Sequence, residues 1–249
     1  MFLPMSLREY AIATRQPRYS ILFALPLLLL YEALAALISH SAFSGARNGA
    51  DVLLKTLFVS FGGRMGLLTF GLVLFGLAGY LVVRDQRIHG QRLQPKVFAG
   101  MFAESLLYAA LLGSVVSLLT AWLLQGHLMV VQGAVERLSI GTQLVISLGA
   151  GLYEELLFRV LLVTALVALG KYLGWKRPVS IGVAIVGSAL IFSAFHYIGP
   201  LGDQFTLPSF TFRAVAGLLL SGLYVARGFG ITAWTHALYD VAVTLAATG

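Results

Sequence analysis

Three short stretches of this 249-residue chain carry side chains that could do chemistry. Glu154-Glu155-Leu156-Leu157-Phe158-Arg159 sets two adjacent carboxylates ahead of a guanidinium. Phe192-Ser193-Ala194-Phe195-His196 sets an imidazole four residues after a ring, and His236-Ala237-Leu238-Tyr239-Asp240 sets a carboxylate four residues after an imidazole. On a helix, residues four apart share a face. Glu155 and Arg159 can therefore pair, which makes both charges tolerable in a dry place. Glu154 is turned about 100° from Glu155, so it need not share that arginine and can serve as a general base. His236 and Asp240 can converge on one site. Phe192 is most simply a packing residue. Such a set suits general acid–base chemistry, and the same residue types also build proton relays.

The elements that must position these groups are dictated by composition. Hydrophobic residues make up 59% of the chain and charged residues 11%, with a mean hydropathy of +0.89. A soluble domain carries about 25% charged residues, so this chain cannot cover a water-facing surface. The apolar runs are continuous instead of alternating, which argues for membrane helices and against a β-barrel. The net charge of +7 sits in short clusters between apolar runs, as loop charges on a membrane protein do, and gives no support for nucleic-acid binding. With no cysteine, disulfides and thiolate chemistry are ruled out.

The fold class expected is all-α, a polytopic transmembrane bundle of about seven spans: Ser20–Ser39, Met65–Val83, Val97–Gln125, Leu138–Leu169, Val179–Tyr197, Phe212–Ala226 and Ile231–Ala247. The segment Asp51–Phe61 is too short to span. With Asp51 and Lys55 at i,i+4 against a broad apolar face, it reads as an interfacial amphipathic helix. Glu32 inside the first run argues that this run is retained and not a cleaved signal. With the N-terminus cytoplasmic, eleven Lys and Arg fall in inner segments and five in outer ones, with Arg159 inside the membrane, as the positive-inside rule requires. No repeat or linker is visible, so residues 1–249 are expected to form one integral membrane domain, with the motif-bearing core at about 138–247.

An ionisable group in hydrocarbon costs about 2.5–3.5 kcal/mol on insertion scales, so three clusters on three spans call for a functional reason. The EExxxR, FxxxH and HxxxD/N motifs, in this order on successive spans, resemble those of the CAAX-protease and bacteriocin-processing family of intramembrane proteases. They read here as Glu154-Glu155 with Arg159, Phe192 with His196, and His236 with Asp240. The resemblance covers about residues 140–245. It implies a helical-bundle endopeptidase that cleaves membrane-associated proteins or peptides near their C-termini. In that reading Glu154 and His196 activate a water, His236 and Asp240 stabilise the oxyanion, and Glu155, Arg159 and Phe192 support the site. Family members include metalloprotease descriptions. No cofactor is the simpler expectation. Zinc is the alternative, held by Glu154, His196, His236 and Asp240, an oxygen and nitrogen set that suits the ion.

Other intramembrane protease signatures are missing: there is no His-Glu-x-x-His, no Gly-x-Ser-Gly and no Gly-x-Gly-Asp. The rival classes are a proton-coupled transporter and a non-catalytic immunity or scaffold protein. The partners expected are a membrane-anchored substrate and the lipid bilayer, with no nucleic acid, at a bacterial inner membrane. Glu32 and Glu104 are expected to be structural, and Arg213 to be an interfacial anchor. One tension stands in this topology. His196 falls at the outer end of its span, whereas His236 lies only about 9 Å from the inner end of its own.

Overall fold

The computed structural model describes residues 6–38, 47–90, 92–126, 138–199 and 202–246; the predicted span ends Ser39 and Ala247 lie outside them. The architecture is a helical membrane bundle, 87% helix, with no strand among the described residues. In chain order the elements are α1 (Leu7–Thr14), α2 (Pro17–Ile38), α3 (Gly49–Gly62), a single 3₁₀ turn (Gly63–Met65), α4 (Gly66–His89) and α5 (Pro95–Leu123). Then come α6 (Ile140–Gly149), two π-helical segments (Ala150–Glu154 and Leu156–Val163), α7 (Thr164–Tyr172), α8 (Arg177–Phe195), α9 (Leu207–Arg227) and α10 (Phe229–Ala246). Side chains of Asn48, Ser139 and Thr206 cap α3, α6 and α9 by accepting from free backbone N–H groups of the first turn.

Among the described residues, five helical stretches are long and apolar enough to cross a membrane: α2, α3–α4 taken together, α5, α8 and α9. Two predicted spans are not among them. The fourth is interrupted by the π segments, and the seventh carries His236 and Asp240. In the most apolar window of α3–α4 only 11% of residues are buried inside the protein, so most of that apolar surface is left for lipid.

The segment α3 departs from the interfacial helix expected of it. Asp51 is 0% exposed and Lys55 7%, whereas Phe61 is 92% exposed. Its charged face turns into the protein and its apolar face outward. In lipid the polar side of an amphipathic helix finds its partners inside the bundle.

Helix α10 lies at the centre, packed against α2, α5, α6, the first π segment and α9. It starts beside the start of α2: the Gly230 N–H donates to Ser20 Oγ at 2.8 Å, and Trp234 Nε1 donates to the Phe23 carbonyl at 2.7 Å. The two helices therefore run parallel. Helix α6 runs antiparallel to α10, with Ser147 Oγ 3.2 Å from Thr244 Oγ1. Buried serines tie further pairs: Ser188 Oγ donates to the Phe158 carbonyl and Ser193 Oγ to the Phe210 carbonyl, both at 2.7 Å. At the edge, Glu104 accepts from Arg227 Nε at 2.5 Å and Nη2 at 2.7 Å, from Tyr10 Oη at 3.0 Å and from Tyr108 Oη at 2.9 Å. This network fastens α1, α5 and α9 and is the structural role expected of Glu104.

Candidate active site

The two adjacent glutamates are both buried, Glu154 at 6% and Glu155 at 0% exposure, and they face different partners. Glu155 lies between a histidine and an arginine: its Oε1 is 2.7 Å from His236 Nδ1 and its Oε2 is 3.1 Å from Arg159 Nε. The Arg159 guanidinium, fully buried, rests 4.4 Å over the Phe192 ring. Its positive charge is thus met by one carboxylate and one aromatic face.

Glu154 is free of that arginine. Its Oε1 accepts from Asn48 Nδ2 at 2.8 Å. Its Oε2 is buried without a hydrogen-bond partner among the described residues and lies 3.9 Å from His196 Nε2. That separation is too long for a direct hydrogen bond and suits a bridging water. His196 is oriented for such a role. Its Nδ1 lies 2.9 Å from the Phe192 carbonyl, which can only accept, so Nδ1 carries the proton and Nε2 is left to face Glu154.

His236 is held from two sides. Nδ1 faces Glu155, and Nε2 lies 3.5 Å from Asp240 Oδ2. The Asp240 side chain keeps 29% of its exposure, so the site opens there. Phe192 does more than fill space. Its ring centroid is 4.8 Å from that of His196 and 6.1 Å from that of His236, and Arg159 stacks on it. All seven motif residues therefore gather round one point.

The depth mismatch between the two histidines resolves in α8. His196 caps the C-terminus of that helix, and the preceding Phe195 packs on Gly49. Gly49 follows Asn48, whose N–H bonds Tyr31, and α2 continues seven residues beyond Tyr31 to Ile38. The α8 helix stops short of the end of α2 and brings His196 to the level of the second turn of α10.

Arg213 is tied down. It bonds Asp203 and Ser209, and its guanidinium lies 5.5 Å over the Tyr197 ring. It straps the α8–α9 connection beside His196. Glu32, itself half-buried, joins an ionic cluster next to the site. It meets Arg47 and Lys55, each at 3.1 Å, and accepts from Tyr153 Oη at 2.9 Å. Asp51 meets Arg47 at 2.9 Å and Lys55 at 2.7 Å.

Among the described residues no group of three His, Asp or Glu is placed to hold a metal ion. Sequence reasoning missed Asn48. The one signal was local, an Asn immediately before Gly-Ala-Asp at the start of a helix; it marks a cap and says nothing of a partner in another helix.

The comparisons with known proteins bear on the same segment. Residues 136–242, which include all seven motif residues, match the family described as type II CAAX prenyl endopeptidase Rce1-like. No curated protein and no solved structure matched the chain. That similarity over residues 136–242 is consistent with the CAAX-protease and bacteriocin-processing family.

Proposed function

We propose that the chain is an intramembrane endopeptidase that hydrolyses a peptide bond near the C-terminus of a membrane-anchored protein or peptide. The observation that carries the reading is the division between the two glutamates. Glu155 is engaged at one oxygen by His236 and ion-paired at the other with Arg159, while Glu154 is held at one oxygen by the neutral Asn48 amide and turns the other toward His196 across 3.9 Å.

The chemistry follows from the atoms. A water between Glu154 Oε2 and His196 Nε2 loses a proton to Glu154 as its oxygen attacks the scissile carbonyl carbon. The oxyanion needs a donor or a positive charge. His236 supplies it from Nε2, with Nδ1 fixed by Glu155 and with Asp240 favouring the charged ring. The proton held by Glu154 then passes to the leaving amine as the C–N bond breaks, giving a carboxylate and an amine. Arg159 and Phe192 hold Glu155 and the two imidazoles in place. No step requires a metal. The setting is an inner membrane with the N-terminus in the cytoplasm, as the loop charges favour.

The test uses the purified chain in liposomes with a panel of membrane-anchored peptides, including prenylated C-terminal ones, and product masses are read by mass spectrometry. Cleavage at a single bond near the C-terminus is expected. Proton flux without cleavage would favour the transporter, and a folded protein that cleaves nothing would favour the immunity or scaffold reading.

A further inference from the structure

The matched segment 136–242 does not complete the site by itself. Among the described residues, the one hydrogen bond to the Glu154 carboxylate comes from Asn48, 106 residues earlier in the chain. Asn48 is 3% exposed, and its polar groups are engaged. Its N–H donates to Tyr31 Oη at 3.3 Å, its Oδ1 accepts the Ala50 N–H at 2.8 Å, and its carbonyl accepts the Val52 N–H at 3.1 Å. Its Nδ2 donates to Glu154 Oε1 at 2.8 Å.

The surroundings leave Asn48 no second position. A Cβ on Gly149 would stand 2.6 Å from Asn48 Cβ and 2.6 Å from the Tyr31 ring, so α6 lies directly against it. Gly49 is covered by the Phe195 ring. Tyr31, which accepts from the Asn48 N–H, in turn donates to Asp51 Oδ2 at 2.7 Å. The Asn48 amide is thus fixed by α2, α3 and α6 together.

Resting on the reading of Glu154 as the base, we infer that Asn48 is a positioning residue for that base: its amide locks one carboxylate oxygen so that the other faces His196. A carboxylate held at one oxygen cannot swing about its Cγ–Cδ bond. A neutral amide does this without adding a cation that would weaken the base, which is what an arginine in the same place would do. The role belongs to the N-terminal helices and not to the motif-bearing segment.

Asn48 also caps α3, and the experiment separates the two roles. Serine and threonine cap as asparagine does, but neither carries the amide that reaches Glu154. We would measure kcat, KM and melting temperature for wild type, Asn48→Ser, Asn48→Thr and Glu154→Gln in liposomes. Asn48→Ser is expected to melt near wild type and to lose about 10–100-fold in kcat with KM little changed, since a misplacement of about 1 Å is worth up to about 10²-fold. Asn48→Thr should agree. Wild-type kcat in Asn48→Ser while Glu154→Gln is inactive would overturn the inference and leave the proposed chemistry standing. Loss of the fold in both the Ser and Thr variants would assign Asn48 to α3 alone and would also overturn it. Wild-type turnover in Glu154→Gln would instead bring down the reading on which the inference rests.

Discussion

Gly151→Ala is the substitution for which the structure gives the sharpest expectation. Gly151 lies in the first π segment against α10. A Cβ there would stand 2.5 Å from the Ala233 carbonyl oxygen, 2.5 Å from Ala237 Cβ and 2.6 Å from the Ala237 nitrogen. Ordinary contact begins near 3.4 Å, so the helices must part by about 1 Å. Two of the three atoms are backbone, and no side chain can swing aside to absorb the methyl. The residue between Ala233 and Ala237 on this stretch of α10 that matters is His236, 2.7 Å from Glu155. A shift of about 1 Å carries that contact past hydrogen-bonding distance. Overpacking of this kind costs about 1–3 kcal/mol, and each kcal/mol lowers the melting temperature by about 2–4 °C in a chain of this size. Turnover should fall by up to about 10²-fold. The assay is thermal melting and peptide cleavage on the same purified sample, with Gly222→Ala as control, because nothing lies within 4 Å of a Cβ at Gly222. Wild-type melting and turnover in Gly151→Ala would refute the close approach of the two helices.

Three further outcomes are expected. Arg159→Ala leaves Glu155 buried with one partner fewer, which should cost about 3–5 kcal/mol and lower both melting temperature and kcat; loss of catalysis at an unchanged melting temperature would mean that Arg159 acts on substrate. Asp240→Asn should keep partial activity, because Glu155 still holds His236, and chelators should leave the wild-type rate unchanged; stoichiometric zinc lost together with activity and restored by adding zinc back would contradict this. Asp51→Asn removes a charge that meets both Arg47 and Lys55 and should destabilise by about 3–5 kcal/mol, while the surviving folded protein cleaves at a near-normal rate, as measured by turnover per folded molecule.

The parts of the fold legible in the sequence are those fixed by local rules. The runs from residue 97 to 125 and from 179 to 197 match α5 and α8 closely, because hydropathy alone marks lipid-facing helices. The different directions of Glu154 and Glu155 follow from a rotation of about 100° per residue, and they hold even though Glu154 ends one π-helical segment and Glu155 separates it from the next. The inward charges of α3 were not legible, because an Asp–Lys face reads as solvated until the helix is known to have lipid on its other side. The hold of Glu155 on His236 and that of Asn48 on Glu154 were equally hidden. Each joins residues 81 and 106 positions apart, and helical spacing says nothing about which faces of distant helices meet. The placement of His196 depended on where α8 stops, which its apolar pattern leaves open.

The central claim is that Glu154, and not its neighbour, is the base that activates water. The most direct measurement is the single-turnover cleavage rate of purified Glu154→Gln beside its melting temperature. The substitution preserves the surroundings: the amide oxygen can still accept from Asn48 Nδ2, and the amide nitrogen can donate toward His196 Nε2. The fold should therefore be kept while the proton acceptor is lost. A fall of at least about 10²-fold with an unchanged melting temperature is predicted; a near-wild-type cleavage rate in the folded variant would contradict the account.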